Sequence, residues 1–110
     1  MTTDDTPASP PSMLTLLDLL GRRWALRILW ELRLEPATFQ ALQARCDAMS
    51  TSVLSQRLSE LRDAALVEKD ESARYRLTNA GAQLLARLDG MEEWTQEWGR
   101  RLERRTAEPS

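Results

Sequence analysis

Residues 38–77 read TFQALQARCDAMSTSVLSQRLSELRDAALVEKDESARYRL, and the order of elements in this stretch decides the fold. Thr38 is placed to cap a short helix from Phe39 to about Arg45, with Phe39 and Leu42 turned inward. Cys46-Asp47-Ala48-Met49 forms a turn. Ser50 then caps a second helix over about Thr51–Ala64, in which Leu54, Leu58 and Leu61 make an i, i+4, i+7 stripe. Two short helices, a tight connection and a polar outer face on the second describe a helix-turn-helix. Leu66–Lys69 and Arg74–Leu77 alternate like strands around the polar linker Asp70–Ala73, which predicts a β-hairpin where a wing belongs.

Upstream, Met13–Leu20 is a short apolar run between a capping Ser12 and Gly21. A further helical stretch, Arg23–Leu34, carries Trp24, Ile28 and Leu32 at four-residue spacing, and Glu35-Pro36 stops it. Downstream, Thr78 caps a helix that reads as continuous to about Arg105, despite Gly90 and Gly99. Along it Leu84, Leu88, Met91, Thr95, Trp98 and Leu102 alternate four and three residues apart, a helix-pairing seam that Trp94 broadens. Its second half and Met13–Leu20 are the expected homodimer interface, with Leu14, Leu17, Leu88, Met91, Trp94, Trp98 and Leu102 as contacts. The expected class is therefore mainly α with a small β-hairpin (α+β), a winged helix-turn-helix dimerising through its first and last helices. Residues 13–105 form this one domain. The proline-bearing, apolar-poor residues 1–12 read as a flexible tail and residues 106–110 as a frayed end.

Composition narrows the function classes. The chain has 110 residues, 42% hydrophobic and 29% charged, enough for one ordinary globular domain. It contains no apolar run of about 18 residues and no secretory leader pattern, so no membrane partner is expected. A lone cysteine, Cys46, fits a reducing cytoplasm and reads as a small buried hydrophobe. With no histidine and one cysteine, neither a transition-metal site nor the usual nucleophile–base pairs are expected. No enzyme activity or cofactor is therefore anticipated. The net charge is -2, and no segment is strongly basic. Charge alone would not suggest DNA, and the case rests on architecture.

With its leucines inward, the second helix of the motif turns Ser52, Ser55, Gln56, Ser59 and Arg62 outward. Gln56 suits adenine N6 and N7, and the hydroxyls suit bases or phosphates. The backbone N–H groups at the helix start, beside Ser50, Thr51 and Ser52, suit a phosphate. Arg57 lies beside the stripe, within reach of a phosphate or an acidic neighbour. In the hairpin Lys69, Arg74 and Arg76 are phosphate candidates, unless they neutralise Glu68, Asp70 and Glu71. Four tryptophans also raise a pocket for a small aromatic effector, with Arg27, Trp30 and Trp94 as candidate lining. Helix packing explains the same tryptophans, and an Arg27–Glu31 pair explains the arginine.

Several segments together resemble one family. Leu19-Leu20-Gly21-Arg22-Arg23-Trp24-Ala25-Leu26 resembles the opening of HxlR-type winged-helix regulators, and Ser50–Leu61 (STSVLSQRLSEL) resembles their recognition helix. Ala64-Ala65-Leu66-Val67 and Tyr75-Arg76-Leu77-Thr78-Asn79-Ala80-Gly81 are similar to their wing-flanking segments. The resemblance spans about Leu16–Trp98. It implies a bacterial, cytoplasmic, homodimeric transcription regulator that binds a palindromic operator in double-stranded DNA. In that reading Ser50–Arg62 enters the major groove and the hairpin meets adjacent backbone or minor groove. Serines at 52 and 59 replace frequent basic residues, the wing is short, and Arg27 stands where an aliphatic residue is usual. Met13–Gly21 contains no cysteine, so the thiol sensing of some relatives does not carry over. The alternative is a winged helix kept as a protein-interaction module with little or no DNA binding.

Overall fold

A computed structural model describes residues 11–107. The expected tail up to residue 10 and the last three residues of the chain lie outside that range. The elements run α1 (Met13–Leu20), α2 (Ala25–Glu31), β1 (Ala37–Thr38), α3 (Phe39–Arg45), α4 (Thr51–Asp63), β2 (Val67–Lys69), β3 (Arg74–Leu77), α5 (Asn79–Arg87) and α6 (Met91–Ala107). Hydroxyl caps start four of the helices. Ser12, Thr38, Ser50 and Thr78 accept from the backbone N–H of Thr15, Ala41, Val53 and Gly81. Each such cap is worth about 1 kcal/mol, which short helices need because their nucleation is costly.

The core forms where the apolar stripes of α2, α3 and α4 meet. Ile28, Leu29, Leu42, Leu54, Leu58 and Leu61 are fully buried, with Val67 and Tyr75 closing the core from the sheet. Trp24 and Phe39 pack against this cluster from half-buried positions. The sheet has the order β1-β3-β2 and is antiparallel throughout. Val67 pairs with Leu77, Glu68 with Arg76 and Lys69 with Tyr75, so the hairpin stands where alternation predicts it. Strand β1 is the addition. Its two residues pair with Tyr75 and Arg74, too short a segment to show any period.

Three expectations need correction. The stretch predicted as helix over Arg23–Leu34 is helical only from Ala25 to Glu31. Trp24 has φ +78° and belongs to the bend before the helix, while Leu32 ends it. The long final helix is two helices. Gly90 takes φ +90°, and the turns Leu88 N–H to Leu85 O and Met91 N–H to Leu88 O close the first before the second begins. Leu84 and Leu88 of the expected seam therefore belong to α5 and are half-buried. Met91, Trp94, Trp98 and Leu102 lie on α6, which buries none of its residues. The α6 helix also continues past Arg105 through Ala107, with the Thr106 hydroxyl donating to Leu102 O at 2.9 Å.

Candidate nucleic-acid interface

The turn between α3 and α4 sets the angle of α4, and the sequence builds it from two successive left-handed residues, Asp47 (φ +61°) and Ala48 (φ +57°). Side chains clamp this strained turn. Gln43 Nε2 donates to Met49 O at 2.7 Å and to Thr51 Oγ1 at 3.1 Å. Arg27 grips it from α2, with Nη2 donating to Arg45 O at 2.7 Å and Nη1 to Asp47 at 3.3 Å, while its Nε meets Glu31 at 2.8 Å. Cys46 is fully buried inside the turn, and burial pushes its thiol pKa up. It sits there as a protonated small hydrophobe.

On α4 the leucine stripe faces the core, and Ser52, Ser55, Gln56, Ser59 and Arg62 are all exposed. Ser50 and Thr51 lie at its start, where Ser50 Oγ caps Val53 N–H and also lies 3.1 Å from Ser52 Oγ. Among the described residues Arg62 has no ion-pair partner. Arg57 is different. Its Nε donates to Arg23 O at 2.8 Å and its Nη1 to Glu60 at 3.2 Å, leaving the side chain 18% exposed. It braces α4 against the preceding bend, the acidic-neighbour outcome that its angle on the helix left open.

The hairpin stands beside this face. Arg74 and Arg76 flank buried Tyr75 and point outward together, as period-two alternation requires. Each has an acidic partner: Arg74 meets Asp70 at 3.4 Å and Arg76 meets Glu68 at 2.7 Å. Asp70 also shapes the tip by accepting the backbone N–H groups of Ser72 and Arg74. The Arg74 N–H bond is the largest influence holding its carboxyl below the usual range. Lys69 lies 5.4 Å over the Tyr75 ring and has no carboxylate partner among the described residues. Between α4 and the hairpin runs an open trough of about 510 Å³ lined by Ser59, Arg62, Asp63, Val67, Glu68 and Lys69.

A second surface of the chain is apolar. Met13, Leu16, Leu17 and Leu20 form one stripe of α1, which has no buried residue. With Leu26, Leu84 and Leu88 they line a groove of about 530 Å³. Leu14 is exposed beside it. On α6, Met91, Trp94, Trp98 and Leu102 are exposed at three- and four-residue spacing, and the two indoles stack with centroids 5.5 Å apart. The seam residues of α6 thus lie on open surface, while Leu84 and Leu88 are half-buried. Leu16, Leu20, Leu26 and Leu84 are groove residues absent from the sequence-based contact set. The first two were detectable from the i, i+3, i+4, i+7 stripe.

The expected effector lining is brought together only in part. Trp30 and Arg27 line a cleft of about 250 Å³ with Leu26, Leu85, Leu88 and Met91, and Trp94 is not among its walls. The guanidinium of Arg33 lies 3.5 Å over the Trp30 ring.

A clamped two-helix motif with an exposed polar second helix and a hairpin at its side defines a winged-helix transcription regulator. The chain belongs to the HxlR-like helix-turn-helix family, whose model matches residues 19–103. It is 31% identical over 88 residues to YvaP, an uncharacterized HTH-type transcriptional regulator of Bacillus subtilis, covering 74% of this chain and 82% of that one. A second uncharacterized HTH-type transcriptional regulator, from Methanocaldococcus jannaschii, is 28% identical over 89 residues, with 77% of this chain and 83% of that one covered. Quinone-bound YodB from B. subtilis has the same fold, with a TM-score of 0.71 and 31% identity over 80% of this chain and 99% of that one.

Proposed function

We propose that the protein binds double-stranded DNA as a homodimer and reads a palindromic operator, in the cytoplasm, where a bacterial regulator meets its DNA. The observation that carries this reading is the outward face of α4, where Ser52, Ser55, Gln56, Ser59 and Arg62 are all exposed on a helix whose inner face is locked into the core. A helix serving only as solvent cover usually carries denser charge. In the major groove, Gln56 reads a base edge and the serines reach bases or phosphates, with the α4 N-terminus at Ser50, Thr51 and Ser52 on the backbone. Arg62 and Lys69 supply phosphate contacts, and Arg74 and Arg76 reach the backbone on exchanging their acidic partners for phosphate. Two-fold symmetry then places half-sites about 34 Å apart.

Selection from random duplexes tests the reading. The protein is expected to enrich a two-fold symmetric site, with Gln56→Ala and Arg74→Ala each weakening binding about 5- to 20-fold. Binding no better than that of an unrelated acidic protein would favour the protein-interaction module instead. The salt dependence is expected to be shallow for a dimer. Arg74 and Arg76 exchange a carboxylate for a phosphate, and the freed Asp70 and Glu68 take up the counterion released, so only Arg62 and Lys69 count. Four such contacts in a dimer give a log–log slope of about -4, against about -9 if all five basic residues of α4 and the hairpin displaced counterions from each subunit. A titration from low to moderate salt distinguishes the two.

The cleft beside Trp30 carries a second reading, a small aromatic effector. Because every nitrogen of the Arg27 guanidinium already has a partner, the occupant that fits is uncharged and held by apolar contact with Trp30, Leu26 and Leu85.

A further inference from the structure

One carboxylate ties the reading face of α4 to the bend between α1 and α2. Glu60 Oε2 forms an ion pair with Arg22 Nη1 at 3.2 Å and accepts from Gln56 Nε2 at 3.4 Å, while its Oε1 accepts from Arg57 Nη1 at 3.2 Å. Both arginines are anchored in turn. Arg22 donates to Asp18 of α1 at 3.3 Å, and Arg57 to Arg23 O at 2.8 Å. The bend itself is fixed, since a bulky residue such as Trp24 at φ +78° persists only where its surroundings determine it. Burial pushes the Glu60 carboxyl up, but the Arg22 hydrogen bond and the charges of Arg57 and Arg22 outweigh this and hold it ionised.

An ionised carboxylate only accepts hydrogen bonds, so Gln56 turns its amide nitrogen, not its carbonyl, toward Glu60. One N–H is thereby occupied. The second N–H and Oε1 remain for an incoming base, a donor beside an acceptor. That pair matches adenine N7 and N6, whereas guanine presents two acceptors, N7 and O6. A glutamine without such a neighbour rotates and can offer either group.

We propose that Glu60 is a positioning residue which, gripped by Arg22 and Arg57, sets the Gln56 amide so that this point of α4 selects adenine over guanine. The inference rests on the reading of α4 as the recognition helix, and one experiment separates the two. Random-duplex selection is run on the parent, Gln56→Ala, Glu60→Gln and Glu60→Asp, with thermal melts to verify folding. Gln56→Ala identifies the base pair concerned. The parent is expected to favour adenine over guanine there by about tenfold or more. Glu60→Gln, whose amide can donate as well as accept, is expected to reduce that preference to about threefold or less and leave the rest of the site unchanged. Glu60→Asp keeps a charge between the arginines but draws its oxygens back from Gln56, so it carries the same expectation if Glu60→Gln does not fold. Adenine preference retained in the folded Glu60 variants overturns the inference while leaving the DNA reading intact. Guanine preference in the parent, or no base pair that responds to Gln56→Ala, does the same. A parent that selects no site overturns the DNA reading itself, and the inference with it.

Discussion

Replacing Gly81 with alanine is expected to destabilise the fold by about 3 kcal/mol or more, as overpacking against immovable atoms does. A Cβ at this position would overlap the carbonyl oxygen of Leu66 and lie 3.1 Å from its carbon. Both are backbone atoms, so no rotamer change relieves the clash. The same Leu66 oxygen accepts the Thr78 N–H at 3.0 Å, and the Thr78 hydroxyl donates to Ala65 O at 2.6 Å while accepting from Gly81 N–H at 3.0 Å. The first turn of α5 is thus seated directly on the chain entering β2. Moving it apart to admit one methyl breaks the cap and tilts the root of the wing. For a domain of this size the melting temperature should fall by about 12–24 °C. Gly99→Ala is the control: nothing lies within 4 Å of its added Cβ, and within α6 the change should stabilise by about 0.5–1 kcal/mol. Circular dichroism melts of the two variants check both. Equal melting temperatures would show that the α5 seat is not as tight as the geometry requires.

Much of this architecture was legible in the sequence because it depends on local signals. The hydroxyl caps at Ser12, Thr38, Ser50 and Thr78, the leucine stripe of α4 and the alternation on either side of Asp70–Ala73 each act within a few residues. Two features escaped because packing overrides pattern there. A 3.5-residue seam runs through Gly90, yet the chain turns at that glycine, whose lack of a Cβ permits φ +90°. Trp24 continues the spacing of α2 yet adopts a left-handed conformation fixed by contacts distant in the chain. The site divides similarly. Which residues of α4 face outward follows from helical angle alone. Whether an arginine is available is legible only in part: the pairs Arg27–Glu31 and Arg74–Asp70 are four residues apart and could be raised from the sequence, whereas the bonds of Arg27 to Arg45 O and of Arg57 to Arg23 O join groups that only the folded arrangement brings close. Glu60 was invisible as a hub for the same reason, since Arg22 reaches it from the other end of the motif.

Leu17→Glu is expected to yield a folded monomer whose affinity for the symmetric operator is about 100- to 10,000-fold weaker than the parent's, the loss that follows when two linked half-site contacts become independent. Leu17 lies on the open stripe of α1 and lines the apolar groove. It belongs neither to the buried core nor to the side chains packed against it, so the protomer should tolerate the change. A second copy related by a two-fold axis would bring the same surface against itself, and a carboxylate there would be desolvated without a partner. The exposed indoles of Trp94 and Trp98 and the absence of any buried residue on α6 place the same demand on the other end of the surface. Apolar side chains so numerous and contiguous are rarely left to water, and a partner copy would cover both ends at once. Light scattering on the parent should give twice the 12.6 kDa chain mass, and on Leu17→Glu the single mass, with titrations on full and half operators run beside it. The variant should then bind full and half sites alike. A parent of single-chain mass, or a Leu17→Glu protein still dimeric and binding the full operator like the parent, would place the assembly surface elsewhere.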